Sequence, residues 1–138
     1  MGHRRAGREC ALQMLYGRDI GGISDGEILC ASRTMDELSP QAREFADQLF
    51  TGVAARLDEL DSLIQSHAQN WRLVRMAAVD RNVLRLAAFE LLSGGKSPDS
   101  AIINEAIELA RKFSTQDSAQ FVNGILDSIR KDLPKKSD

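Results

Sequence analysis

Residues 98–133, PDSAIINEAIELARKFSTQDSAQFVNGILDSIRKDL, constrain the fold more than any other stretch of this chain. Ile102, Ile103, Ala106, Leu109, Ala110 and Phe113 recur at helical spacing, and so do Phe121, Val122, Ile125, Leu126 and Ile129. Each set forms one apolar stripe, with polar residues taking the other face, as in a helix that buries one side. Ser114, Thr115 and Gln116 interrupt the period. The stretch therefore reads as two amphipathic helices joined by a short polar turn.

Pro98 suits the start of the first helix, with Asp99 or Ser100 as its cap, and Asp117 or Ser118 is expected to cap the second. Glu108 and Lys112 stand four apart in the favourable order, a bonus of about 0.3 kcal/mol. Asn123-Gly124 is an odd choice for a helix interior, because Asn-Gly normally marks a turn and Gly costs roughly 1 kcal/mol relative to Ala. Close helix packing is the expected reason for Gly124. A place for Asn123 at a binding surface is the alternative.

The rest of the chain has the same character. Residues 3–18 read as a first helix, with Cys10, Ala11, Met14 and Leu15 on its apolar side. Glycines at 21, 22 and 26 predict a loop over 20–26, and Ile28, Leu29 and Ala31 a short helix ending before Met35. Ser39-Pro40 opens a strong helix with Ala42, Phe45, Ala46, Leu49, Phe50, Val53 and Leu57 inward, and Gly52 expected at a close contact. After a break near Asp58, Leu60, Leu63 and Ile64 continue as a further helix. Trp71 is expected to plug the junction between the two halves, with a surface-stacking role as the alternative. Asp80 caps or opens the next helix, whose Val83, Leu84, Leu86, Ala87, Ala88, Leu91 and Leu92 leave so little polar circumference that it should be central. The tail from Pro134 reads as frayed. No alternation of β-branched residues suggests a strand, so the fold class is all-α, and 138 residues suffice for one domain.

Neither a signal peptide nor an apolar run of membrane-spanning length is visible. Cys10 and Cys30 are isolated, lack metal spacing and suit a reducing cytoplasm as plain core or half-buried residues. His3 and His67 have no clustered partners, so neither a metal nor a cofactor is expected. There is no glycine-rich phosphate loop and no nucleophile beside a base. The acid pairs Glu105/Glu108 and Asp58/Glu59 read as solvated helix faces. The chain is not expected to be an enzyme.

The net charge of −2 is unevenly spread: +3 over residues 1–18, −7 over 19–70 and +2 over 71–138. Either end can meet an anion more easily than the middle can. Arg4 and Arg8 lie one turn apart, with Arg5 adjacent, and a core would not welcome three guanidiniums, so this end of the helix should overrun the core edge. Cations at a helix N-terminus oppose the helix dipole by a few tenths of a kcal/mol each. A phosphate ligand at the exposed N–H groups would explain that placement. On residues alone, an ordinary solvated basic terminus stands beside it.

Taken together, these motifs resemble the NusB family of transcription antitermination factors. The resemblance rests on Arg4-Arg5-Ala6-Gly7-Arg8-Glu9 continuing through Ala11-Leu12-Gln13 and Leu15-Tyr16, and on the stretch from Asn70-Trp71 through Asp80-Arg81, then Val83-Leu84-Arg85-Leu86-Ala87 and Phe89-Glu90-Leu91. It extends over residues 101–112 and through Phe121-Val122-Asn123-Gly124-Ile125-Leu126-Asp127, and so covers nearly the whole chain. It implies about seven helices in two packed three-helix-type bundles within a single RNA-binding domain over residues 1–138. The N-terminal subdomain would span about 1–68 and the C-terminal one about 69–133. It also implies binding of the boxA element of single-stranded nascent RNA together with NusE, a small-subunit ribosomal protein, so that RNA polymerase reads through terminators, chiefly in ribosomal RNA operons.

By the same resemblance, Arg4, Arg5 and Arg8 contact RNA, and Asp117, Gln120, Phe121 and Asn123 lie on or near the RNA surface. Tyr16 and Asp80 lie on the NusE side, with Arg81 nearby. Gly7 departs from the Ala the family favours, and Gln120 from a common Lys, so the isolated chain should bind RNA weakly and gain from NusE. Two other readings remain. One is an RNA-binding helical domain like that of ribosomal RNA cytosine methyltransferases. The other is a structural helical protein that forms a homodimer through the surface otherwise open to RNA.

Overall fold

The computed structural model describes residues 2–32, 38–95 and 97–134, with the side chains of residues 30–32 outside that description. Among the described residues there are seven α-helices and no strand: α1 (His3–Gly21), α2 (Asp25–Ser32), α3 (Pro40–Ala55), α4 (Leu57–His67), α5 (Ala78–Ser93), α6 (Asp99–Phe113) and α7 (Gln116–Asp132). A 3₁₀ turn (Leu73–Arg75) leads into α5. The readings of Cys30 and of the tail beyond Pro134 fall outside the described side chains and residues. No described helix is long and apolar enough to cross a membrane.

The helix ends follow local chemistry, not always as expected. Ser39 caps α3, its Oγ accepting from the Ala42 N–H at 3.1 Å, with Pro40 in the first helical position. α7 is capped by Thr115, which accepts from the Ser118 N–H at 3.0 Å, so neither Asp117 nor Ser118 is the cap. α6 has Pro98 at its N-cap with no side-chain hydrogen bond, and Asp99 stands inside the first turn. α5 likewise starts ahead of Asp80, at Ala78. α1 runs on to Gly21, which shortens the expected 20–26 loop to residues 22–24. Gly22 and Gly94, in the left-handed region at φ 63° and 64°, end α1 and α5 where any side chain would be strained.

α5 is the hub. It packs against α1, α3, α4, α6 and α7, and its Val83, Leu84, Leu86, Ala87, Ala88 and Leu91 are all buried. α1 lies on α3 closely enough that a Cβ on Gly7 would stand 2.8 Å from Phe45 Cδ2 and 3.0 Å from the Ala42 carbonyl. The close contact expected at Gly52 is real: a Cβ there would stand 2.2 Å from Phe89 Cζ. Gly124 is the opposite case. It is exposed, and a Cβ added there would meet nothing within 4 Å, because it lies on the face of α7 away from the Val122/Ile125/Leu126/Ile129 stripe.

Trp71 also departs from expectation. It is 59% exposed, and Leu73 and Met76 fill the junction instead. His67 is not isolated: its ring meets Ser128 Oγ at 2.7 Å and Asp132 at 3.3 Å, tying α4 to α7. Cys10 is a buried thiol 3.8 Å from Met14 Sδ, and burial pushes its pKa up, as befits an inert core residue.

Candidate nucleic-acid interface

The first turn of α1 contains no acid and has no side-chain cap, so its N–H groups have no side-chain acceptor. The three arginines are held differently. Arg5 is 47% exposed and makes a two-pronged bond to Glu105, Nε to Oε1 at 3.2 Å and Nη2 to Oε2 at 2.8 Å. Arg4 donates to Ser97 Oγ at 3.2 Å and lies 5.2 Å over the Phe45 ring. Arg8 does not overrun the core edge. It is 6% exposed and grips Glu90 with Nε and Nη2, both at 2.7 Å. A core accepts this guanidinium because a buried carboxylate matches its charge and its fork.

Glu105 therefore shapes the site. The Arg5 hydrogen bond holds its carboxyl below the usual carboxylate range, outweighing burial, with the charges of Arg5 and Arg8 assisting. An open cleft of about 580 Å³ lies here, lined by Arg4, Arg5, Arg8, Ser97 and Asn104 among others. It is wide and open, and its guanidiniums suit a phosphate backbone.

The charged surface continues across α6. Lys112 Nζ reaches Glu9 at 2.9 and 3.0 Å, which ties α6 to α1. Arg111 bonds Glu108 and donates to Gln116 at 3.0 Å, which ties α6 to the start of α7. The expected Glu108–Lys112 pair is thus replaced by Glu108–Arg111 and Lys112–Glu9. Asp117, Gln120 and Asn123 are exposed on α7, and Phe121 is half-buried. Arg4, Arg5 and Arg8 form one group, the α7 residues another, and Arg111 and Lys112 lie on the helix that joins them. The spacing alone placed Lys112 with Glu108 and gave Arg111 no role; the pairing changed because α1 brings Glu9 to Lys112.

The residues expected on the protein-partner side divide by burial. Tyr16 is exposed, near the exposed Ile20 and Ile23 in sequence. Arg81 is buried and saturated: it bonds Asp19 at 2.8 Å and donates to the carbonyls of Leu73 and Met76 at 3.2 and 3.3 Å. Arg85 joins Asp19 at 3.2 Å and Asp61 at 2.8 Å, and Asn82 donates to Asp19 at 3.0 Å. Burial pushes the Asp19 carboxyl up, but hydrogen bonds from Arg81 and Asn82 and the charges of Arg81 and Arg85 prevail and hold it below the usual range. Asp80 is buried too. One oxygen accepts from Ser118 at 2.9 Å, and the other, Oδ1, has no partner among the described residues. No group of three or more His, Cys, Asp or Glu among the described residues is arranged to hold a metal.

A family model described as the NusB family matches residues 5–131. The chain belongs to the NusB family. It is 48% identical over 139 residues to the transcription antitermination protein NusB of Geobacter sulfurreducens, covering 99% of each chain. Among solved structures it is similar to T. maritima NusB, with a TM-score of 0.85 and 35% identity over 96% of this chain and 92% of that one. It is equally similar, TM-score 0.85 at 28% identity, to a chain in a crystal structure of the antitermination factors NusB and NusE in complex with dsRNA, covering 94% of this chain and 96% of that one. The all-helical NusB architecture is therefore this chain's own.

Proposed function

We propose that this protein is a transcription antitermination factor that binds boxA RNA together with NusE and promotes read-through by RNA polymerase, chiefly in ribosomal RNA operons. It acts in the cytoplasm, by binding and without chemistry. The observation that carries this reading is the basic start of α1, where Arg4 and Arg5 surround uncapped N–H groups in a fold shared with a NusB chain crystallised with NusE and RNA. Arg4 and Arg5 take phosphates, and Arg8 positions them by anchoring α1 to α5. Gln120, Phe121 and Asn123 meet splayed bases, as single-stranded RNA allows, with Asp117 at the margin. Tyr16 offers an exposed ring to NusE, Arg81 steadies that part of α1 through Asp19, and Asp80 is assigned to the same partner.

The affinity of the isolated chain is modest for a physical reason. Arg5 must leave Glu105, which stays ionised and repels the incoming phosphate. NusE offsets this by adding its own contacts to the same strand. Titrating labelled boxA RNA with and without NusE tests the reading: tighter binding with NusE is expected, and unchanged affinity overturns the cooperative mechanism. Light scattering of the same samples separates the alternative, since a homodimer indifferent to RNA would mark a structural protein.

A further inference from the structure

The segment between α4 and α5 is built on a three-residue repeat. Trp71 N donates to the Ala68 carbonyl at 3.0 Å, Arg75 N to Arg72 at 2.9 Å and Met76 N to Leu73 at 3.1 Å. Bonds of this spacing set residues three apart on one side. Leu73 and Met76 accordingly form a buried pair, Trp71 and Val74 an apolar pair 59% and 74% exposed, and Arg72 and Arg75 an exposed cationic pair. Among the described residues, neither of these guanidiniums has an acid partner. The chain has no acid between Asp61 and Asp80, and those two are occupied by Arg85 and Ser118.

This surface is held rigidly. Gln65 Nε2 donates to the Trp71 carbonyl at 2.7 Å, and Gln65 Oε1 accepts from the Leu73 N–H at 2.8 Å. Arg81 binds the carbonyls of Leu73 and Met76 from beneath. The Trp71 ring meets Phe121 at 5.9 Å and 81°, edge to face, so each ring keeps at least one face that the other does not cover. Leu73 and Met76 fill the junction beneath, which leaves Trp71 on the surface with Phe121 beside it.

We propose that Trp71, with Phe121, Arg72 and Arg75, is a base-stacking platform for single-stranded RNA, extending the strand's path off α7 toward the 3₁₀ turn. Aromatic faces beside cations that no acid pairs with are what a single strand needs: the rings take bases and the guanidiniums take phosphates, with Asp117, one turn before Phe121, at the edge of the platform. A protein partner would also use a tryptophan, but two guanidiniums without an acid, on a chain of net charge −2, select a polyanion. The fixed backbone keeps the ordering cost of docking low. This inference rests on the RNA-binding reading above.

Trp71 is the chain's one tryptophan, so its fluorescence reports the platform directly. The probe is boxA RNA extended on both sides by several uridines, followed by anisotropy and by tryptophan emission. Quenching should saturate along the anisotropy curve. Trp71→Ala should weaken binding roughly 5- to 150-fold, with Trp71→Phe restoring most of it. Arg72→Ala/Arg75→Ala should lower the salt slope by about 1.4, or about 0.7 for each phosphate neutralised, and this pair stands as the test should Trp71→Ala fail to fold. RNA binding without quenching, and with unchanged affinity in Trp71→Ala, overturns the platform and leaves the RNA-binding function intact. No RNA binding by the unmodified chain, with or without NusE, overturns both. A Trp71→Ala variant that keeps its RNA affinity but loses NusE identifies a protein contact and overturns the platform.

Discussion

Arg8 and Glu90 face each other across the α1–α5 contact with two parallel hydrogen bonds of 2.7 Å, both side chains under a tenth exposed. The pair fixes the helix that carries Arg4 and Arg5 onto the central helix of the fold. Its net contribution is small, since desolvation offsets attraction, but either half alone is a buried unpaired charge. Arg8→Ala should therefore cost about 3–5 kcal/mol in urea unfolding. Arg8→Leu/Glu90→Leu should cost much less than the sum of its single variants. Additive losses in this cycle would show that the two groups do not act as a pair.

Arg4 and Arg5 should behave differently from Arg8. Arg4→Ala/Arg5→Ala should keep the helical circular dichroism and melting temperature while lowering the RNA salt slope by about 0.7 for each phosphate no longer neutralised. A triple variant that also removes Arg8 confounds binding with folding. An unchanged salt slope in the double variant would place the phosphate-binding groups elsewhere.

Two glycines give opposite signs. Gly52→Ala drives a methyl into the Phe89 ring, 2.2 Å from Cζ, and overpacking of this kind costs about 1–3 kcal/mol. Phe89→Leu should recover part of that loss. Gly124→Ala meets open space in the middle of α7 and should stabilise by up to about 1 kcal/mol, the helix-propensity difference. Chemical denaturation of both variants checks the pair, and a destabilised Gly124→Ala would mean that the glycine is needed for something other than packing.

Asp19 and Glu105 both have folded pKa values below their ordinary ones. A depressed carboxylate contributes stability that is present above the unfolded pKa, about 4, and lost as pH falls toward the folded value. Stability should accordingly be flat above about pH 5 and decline below about pH 4. Asp19→Asn should be less stable at neutral pH, because Arg81 and Arg85 lose a shared carboxylate, and its decline in acid should be shallower. An identical acid slope in both proteins would exclude Asp19 as a source of the decline.

What the sequence determined by itself was the helical text. The stripes of α3, α5, α6 and α7, the Ser39-Pro40 start, the centrality of α5 and the tight contact at Gly52 all follow from residue type and period, which are local properties. The family followed from the order of whole motifs. Tertiary structure decided everything that depends on a distant neighbour. Arg8 is buried because Glu90, 82 positions away, arrives with the complementary charge. Lys112 pairs with Glu9 and not with Glu108 because α1 lies beside α6. Trp71 is outside because Leu73 and Met76 already fill the junction, and Gly124 has open space because it lies off the packed stripe of α7. Period tells which side of a helix is apolar; only the assembled fold tells what that side, and its opposite, will touch.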